Sequence, residues 1–428
     1  MTSPPLLSRY GFGSLRHRNF RLFLGGQFLS LCGTWIQSVA LGWLVLQLSD
    51  SAFAVGLVST LGSLPVLLFT LYGGVVADRA NKHRLITVLQ SLMLVEALTL
   101  AVLTHTGHVS VAAMGALAAA LGTLSAFEVP ARQAFVVELA GKEDLMNAIA
   151  LNSSAFNVSR IIGPAIAGVL ISTPGIAACF YVNAASYVAV IAGLLMMRLP
   201  RGALPIADRG SVGFADGFLY LWRQPWSRAL MILTGTFSVF GFAFLPMLPV
   251  FAREELKVAA AGYGGLVSAV GVGASAAALF IAGFGHRIRR RLTILLAGGA
   301  FGASLLLASF SHVYGVALPL LTLAGMAMVL NNVLTNTLLQ TGVPDHLRGR
   351  VMGVYSFLIL GLAPFGSLQA GYLAEHLGVR VAFATGGVVC LLVVLAVAWW
   401  MGRARGLKTG TRGLRALLER TGELPTGP

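Results

Sequence analysis

Basic residues fall on alternate sides of a succession of apolar runs, and that segregation constrains this chain more than any single motif. A helix needs about 20 apolar residues to cross a bilayer core. Twelve runs meet that length, near 20–46, 53–77, 85–105, 109–130, 147–172, 176–197, 227–251, 262–285, 292–311, 314–339, 351–376 and 378–402. Inside lipid every backbone N–H and C=O must be bonded within the structure, so a spanning chain is helical or a closed barrel. None of the runs alternates polar and apolar residues as barrel strands do. The expected fold class is an all-α membrane protein with twelve transmembrane helices.

Numbering the connections alternately separates the charges. One set holds Arg9, Arg16, Arg18 and Arg21, then Arg79, Lys82 and Arg84, then Arg132 and Lys142. It continues with Arg198, Arg201, Arg209, Arg223 and Arg228, then Arg287, Arg289, Arg290 and Arg291, then Arg348 and Arg350, and ends in the basic tail. The opposite set holds only Arg253, Lys257 and Arg380, and with Arg160, inside a run, these complete the 30 Lys+Arg. Basic loops stay on the cytoplasmic side, so both termini are expected in the cytoplasm, at a bacterial-type inner membrane. An odd number of spans would scramble this pattern, so charge and hydropathy support the same count. The net charge of +15 is then a topology signal and implies no nucleic-acid partner. Charged residues make up 11% of the chain against about 25% in soluble domains, which again favours the bilayer as partner.

The connection 198–228 carries Pro200, Pro205 and Pro225 and an amphipathic stretch at 214–222, expected to lie on the inner leaflet. It separates an N-terminal six-helix half, 1–197, from a C-terminal one, 229–402, and a basic tail follows at 403–428. The order of features repeats after about 200 residues: the basic turn 78–85 with 285–292, the loop 143–147 with 345–349, and Pro164 with Pro364. Two six-helix pseudo-repeats are a transporter architecture, with the substrate path between them. The polar, proline-bearing start has no signal-peptide core with a cleavage site, so the first run is expected to be retained. Cys32, Cys179 and Cys390 each lie in an apolar run without a CxxC spacing and read as inert thiols.

The sharpest motif is Gly74-Val75-Val76-Ala77-Asp78-Arg79-Ala80-Asn81-Lys82-His83-Arg84. Gly74 is expected to let helices pack closely, and Asp78 to accept bonds at a helix end. Asn81 is expected to take a left-handed turn, while Arg79, Lys82 and Arg84 hold the loop at the headgroups. The motif resembles the loop signature of the major facilitator superfamily, with Asn81 where the family has its turn glycine. The resemblance implies a cytoplasmic charge cluster of Asp78, Arg132 and Glu138 that latches the two halves in the outward-open state. Ser159-Arg160-Ile161-Ile162-Gly163-Pro164-Ala165-Ile166-Ala167-Gly168 resembles the Gly-Pro signature in the fifth helix of that superfamily's exporters. Arg160, Gly163, Pro164 and Gly168 carry that match; Ser159 and Ala167 stand where the family often has glycine.

Phe127-Glu128-Val129-Pro130-Ala131-Arg132, Asn147-Ala148-Ile149-Ala150-Leu151-Asn152, Pro344-Asp345-His346-Leu347-Arg348-Gly349-Arg350 and Arg18-Asn19-Phe20-Arg21 resemble one subfamily, which includes the enterobactin exporter. That likeness runs from 16 to 402. It implies a secondary transporter, not an enzyme, exporting a siderophore or an amphipathic drug-like molecule by proton antiport, without a cofactor and as a monomer. The alternatives are an uptake carrier of the same fold, a membrane-embedded enzyme and a non-transporting receptor or partner subunit.

Charges inside spans are costly and point to function. Glu128 and Arg160 are expected to approach one another, and Glu96 to be either the proton-coupling carboxyl or a structural one. Gln27, Trp35 and Gln37 in the first run, and Asn332 and Asn336 in the tenth, are expected to line a cavity or to join helices. The sequence has no GxxxxGK[ST], so an ion gradient is the expected energy source. His105 and His108 have no acids nearby in sequence, and no metal site is expected.

Overall fold

The computed structural model describes residues 13–198 and 214–404. Arg9, Arg201, Arg209 and the basic tail beyond 404 lie outside the described residues. The described chain is helical. The first six spans are α1 (Arg18–Ser49), α2 (Ala52–Arg79), α3 (Lys82–His105), α4 (Val111–Gly141), α5 (Glu143–Ser172) and α6 (Ile176–Leu195). A short amphipathic helix follows, α7 (Phe214–Arg223). The remaining spans are α8 (Pro225–Glu255), α9 (Ala260–Phe284), α10 (Arg290–Ser309), α11 (Tyr314–Gly342), α12 (Leu347–Leu377) and α13 (Val379–Ala404). All except α7 are long and apolar enough to cross a membrane, which makes 12 among the described residues. The all-α, multi-pass expectation is met.

Each span is apolar on all sides because one face meets lipid and the other meets protein. On α3 the lipid-type face carries Val88, Leu92, Val95 and Val102, all exposed. The opposite face buries Leu89, Gln90, Met93, Glu96, Ala97 and Leu100. The three-and-four spacing within each set is the helical repeat. The polar pair Gln90 and Glu96 therefore points inward.

α4 and α5 run on from one another with a single break at Gly141, whose φ of 67° needs a residue without a Cβ. The loop expected between 130 and 147 is therefore mostly helix.

The described chain forms two compact units. The first comprises the residues up to 198 together with Pro246–Gly271, and the second comprises 214–245 and 272–404. In the first, α1 packs on α5 and α6, and α2 packs on α4. Phe20, Phe23, Ile86 and Phe135 form a core at the end that bears the basic loops. In the second, α10 packs on α11 and α13. Phe301 gathers Phe237, Phe242 and Phe244 at ring separations of 5.5–6.0 Å.

Helices α8 and α12 depart from regular geometry. α8 contains two π-helical turns, Phe237–Gly241 and Phe251–Glu255, and α12 contains one, Phe357–Gly361, which faces the first. Such a turn shifts one backbone bond out of the regular series and leaves groups to be satisfied elsewhere. The two facing turns satisfy each other in part: the Ser238 hydroxyl donates to the Ile359 carbonyl at 2.8 Å.

Candidate functional site

The buried charges lie in the first unit. Glu96 on α3 is 5% exposed and faces α1. Gln37 of α1 donates its amide N–H to both carboxylate oxygens, at 3.2 and 3.0 Å. The Gln37 amide oxygen in turn accepts from Asn183 Nδ2 on α6 at 2.7 Å. Ser186 completes the chain by donating to Asn183 Oδ1 at 3.1 Å. The network ties α1, α3 and α6 through neutral donors alone, and Glu96 has no basic partner among the described residues. A carboxyl in such surroundings is costly to ionise and marks a candidate site.

A cavity of about 240 Å³ lies beside this network, between α1, α2 and α4. Its polar lining is Thr34, Gln37 and Ser38 from α1, Ser59 from α2 and Ser125 from α4. Gln37 is thus shared between the cavity wall and the carboxyl behind it. Gln27, also expected at a cavity, is buried in α1, and its amide oxygen has no hydrogen-bond partner.

Glu128 and Arg160 do not pair. Arg132, one turn along α4, donates to Glu128 Oε1 at 3.0 Å, and Gln90 of α3 donates to the same oxygen at 3.2 Å. Arg160 instead lies over the Trp35 ring, 5.6 Å from its centroid. The reason is local: an i,i+4 partner on the same helix satisfies the carboxylate, and α5 turns Arg160 towards α1.

The basic loop is also arranged differently from expectation. Lys82 pairs with Glu138 at 2.7 Å, and Arg132 is held by Glu128. Asp78 has no ion-pair or hydrogen-bond partner among the described residues, so the expected cluster of Asp78, Arg132 and Glu138 is not assembled. Asn81 does not take the left-handed region: at φ −68° it caps α3, accepting from the Arg84 amide at 3.1 Å. A capping carboxamide satisfies a helix-end amide, a role Asn favours as much as a left-handed turn. Arg79 and Arg84 are exposed. Close packing belongs to Gly73 rather than Gly74. A Cβ on Gly73 would clash with the Ala126 carbonyl of α4, whereas one on Gly74 would meet nothing within 4 Å.

The fifth-helix motif does bring helices together. A Cβ on Gly163 would sit 2.6 Å from Trp35 Cβ, so α1 and α5 meet there. On its other side α5 meets the start of α9. Pro164 has no N–H, which leaves the Arg160 carbonyl, four residues back, without its helical donor. Gly271 of α9 lies against that carbonyl, where a Cβ would come within 2.7 Å. Gly264 likewise approaches the Pro164 carbonyl, Gly168 approaches Ala261, and the Ser268 hydroxyl donates to the Ile161 carbonyl at 2.9 Å. The sequence motifs do not include Gly264, Ser268 and Gly271. Their signal is the density of small residues at spacings of four and three in the eighth run.

At the end away from the basic loops, Arg253 donates to the Leu46 carbonyl at 3.0 Å and pairs with Asp50, the residue that ends α1. No motif marks this pair either. Its signal is a lone acid at the end of the first run and a basic residue at the end of the seventh, both on the sparsely charged side. In the second unit Asn331 is interhelical glue, donating to the Ile294 carbonyl of α10 at 3.2 Å. Asn332 and Asn336 are half-buried; Gln340 donates to Asn336 Oδ1 at 2.6 Å. Among the described residues no three His, Cys, Asp or Glu gather as metal ligands.

The chain as a whole is similar to known proteins. The family profile described as transmembrane secretion effector matches residues 10–405. The chain is 28% identical over 393 residues to the multidrug efflux pump Tap of Mycolicibacterium fortuitum, covering 89% of this chain and 95% of that protein. It is 26% identical over 389 residues to the enterobactin exporter EntS of Escherichia coli O1:K1 / APEC, covering 89% of this chain and 92% of that one. Its fold is similar to the crystal structure of nucleoside transporter NupG, with a TM-score of 0.71 at 13% identity over 89% of this chain and 98% of that chain.

Proposed function

The chain belongs to the transmembrane secretion effector family of the major facilitator superfamily, and we propose that it exports a small organic molecule by proton antiport. The cargo class is a siderophore or an amphipathic drug-like compound, the kinds of cargo named for two of its relatives. The basic loops face the cytoplasm in a bacterial inner membrane, and the halves 1–197 and 229–402 rock about the cargo path as alternating access requires.

The observation that carries the proton assignment is that Gln37 both lines the cavity and holds Glu96. With Glu96 ionised, the Gln37 amide donates to it and accepts from Asn183. Protonated, Glu96 becomes a donor and competes with Asn183 for the Gln37 oxygen. The amide at the cavity wall then turns, so proton binding and cargo binding share one side chain. Arg132 serves to hold α4 to its own Glu128, and Arg253 with Asp50 serves as a latch at the outer end. The fifth-helix contacts at Gly163, Pro164 and Gly168 give α5 a close seat on α1 and α9, a pivot for the rocking motion.

The test is transport in proteoliposomes under an imposed pH gradient, with ethidium as probe cargo, beside accumulation in cells with and without the gene. Export predicts gradient-driven ethidium movement and higher cellular accumulation on deletion. Lower accumulation on deletion would make the chain an uptake carrier, and movement indifferent to the gradient would remove proton coupling.

A further inference from the structure

The second unit contains a cavity that the transport reading does not use. It has a volume of about 450 Å³ and lies where α7, the starts of α8 and α10, and the ends of α11 and α13 converge. All five of those helix ends belong to the side that bears the basic loops. Arg291 lines it with Trp226, Ser227, Gln224 and Thr341, and no carboxylate is among its lining residues that the structure describes. The Arg291 guanidinium lies 5.4 Å above the Trp226 ring and has no ion-pair or hydrogen-bond partner among the described residues. Trp226 Nε1 is buried and its N–H has no acceptor. α8 begins inside the cavity with Pro225 in its first turn, and its cap residue Gln224 makes no side-chain cap bond. The next amides, Trp226 and Ser227, therefore point out of the helix start without a helical acceptor.

A guanidinium, an indole N–H and a helix start are all donors, and together they call for an anion with several acceptor oxygens. The walls supply the second half of the specification. Leu230, Leu338, Leu339 and Met401 give the cavity an apolar side. Next to it α7 presents Phe218, Leu219 and Trp222, all exposed, as an interfacial helix would. An anion with apolar matter attached, at headgroup depth, is a phospholipid. We propose that this cavity binds the phosphate of an anionic phospholipid from the leaflet that meets the basic loops, with Arg291 and Trp226 Nε1 as its donors. A lipid seated there would join the connection helix α7 to α8, α10 and α11. The site belongs to the described structure of the second unit alone and does not depend on the identity of the cargo.

The experiment is native mass spectrometry and thermal unfolding of the purified full chain, titrated with phosphatidylglycerol, with phosphatidylcholine and with inorganic phosphate. Phosphatidylglycerol is expected to bind and raise the unfolding temperature, while the other two leave it unchanged. Arg291→Gln is expected to weaken that binding about fivefold or more, the effect of one basic group at an anionic headgroup. Trp226→Phe keeps the apolar wall, removes the N–H and is expected to weaken it as well, which covers the case in which Arg291→Gln does not fold. Arg287→Gln, outside the cavity lining, is expected to bind as the unaltered chain does. Equal binding of phosphatidylcholine, full binding by both cavity variants, or an equal shift with inorganic phosphate would overturn the proposal; the last would mark a site for a soluble anion.

Discussion

The two compact units bury different kinds of polarity. The first buries Glu96, Glu128 and Arg160. The second buries hydroxyls and an amide, among them Thr234, Ser238, Ser304, Asn331 and Thr335, and among its described residues none of the buried polar groups is a charge. A buried charge costs several kcal/mol and is retained where it does something, whereas a neutral group can serve simply to join helices. Backbone geometry also differs at one equivalent helix contact. The first-unit helices α1 and α5 meet at Gly163, and the corresponding second-unit helices α8 and α12 meet at Gly366, where a Cβ would sit 2.5 Å from the Val239 carbonyl. Only the second pair has facing π-helical turns, 237–241 and 357–361. The pseudo-repeats thus differ: the buried charges lie in the first unit, and the facing pair of π-helical turns lies in the second.

The strongest challenge to that division is Glu96→Gln. It keeps an acceptor for Gln37 and removes the titrating group, so gradient-driven export should fall to background while the protein stays folded. Asn331→Ala, in the second unit, should cost about 1 kcal/mol of stability and leave coupling intact. Export that survives in the first variant and fails in the second would reverse the assignment. The next largest effect is on stability. Glu128→Leu leaves the half-buried Arg132 without its carboxylate and should cost about 3 kcal/mol, read as a lower unfolding temperature. Adding Arg132→Leu should recover much of that loss.

A smaller effect distinguishes packing from sequence proximity. Gly73→Ala should cost about 1–3 kcal/mol by overpacking against α4. Gly74→Ala should stay within about 0.5 kcal/mol, as surface substitutions do. Equal costs would mean that α2 and α4 do not meet at Gly73. Smallest is Ser238→Ala, which removes one hydrogen bond between the π turns and should cost about 1 kcal/mol. A larger loss, with transport also slowed, would show that the paired turns matter to motion as well as to stability.

Much of the fold is legible in the amino-acid order. Span count follows from length and hydropathy because the bilayer sets a minimum helix length and forbids unpaired backbone. That Glu96, Glu128 and Arg160 are charges within spans is legible too, since a charge in an apolar run stands out. Their partners are not. Sequence order points Glu128 at Arg160 across two helices, yet Arg132 lies one turn away and satisfies it. The choice between Gly73 and Gly74 is equally closed to the sequence. Adjacent helical residues point about 100° apart, and an apolar span gives no polar stripe to show which direction faces protein.

The amino-acid order by itself determined the twelve spans, the asymmetry of basic loops and the residues that carry buried charge. Each of these depends on transfer between water and lipid, a property that one residue or one short run possesses alone. Only the tertiary structure decided that Gln37 stands between Glu96 and a cavity, that Gly264 and Gly271 seat α9 on α5, and that Arg291 and Trp226 face a common space. Those depend on the rotation of each helix about its axis and on which helices touch. Packing of whole surfaces sets both, and no local pattern in an all-apolar helix encodes them.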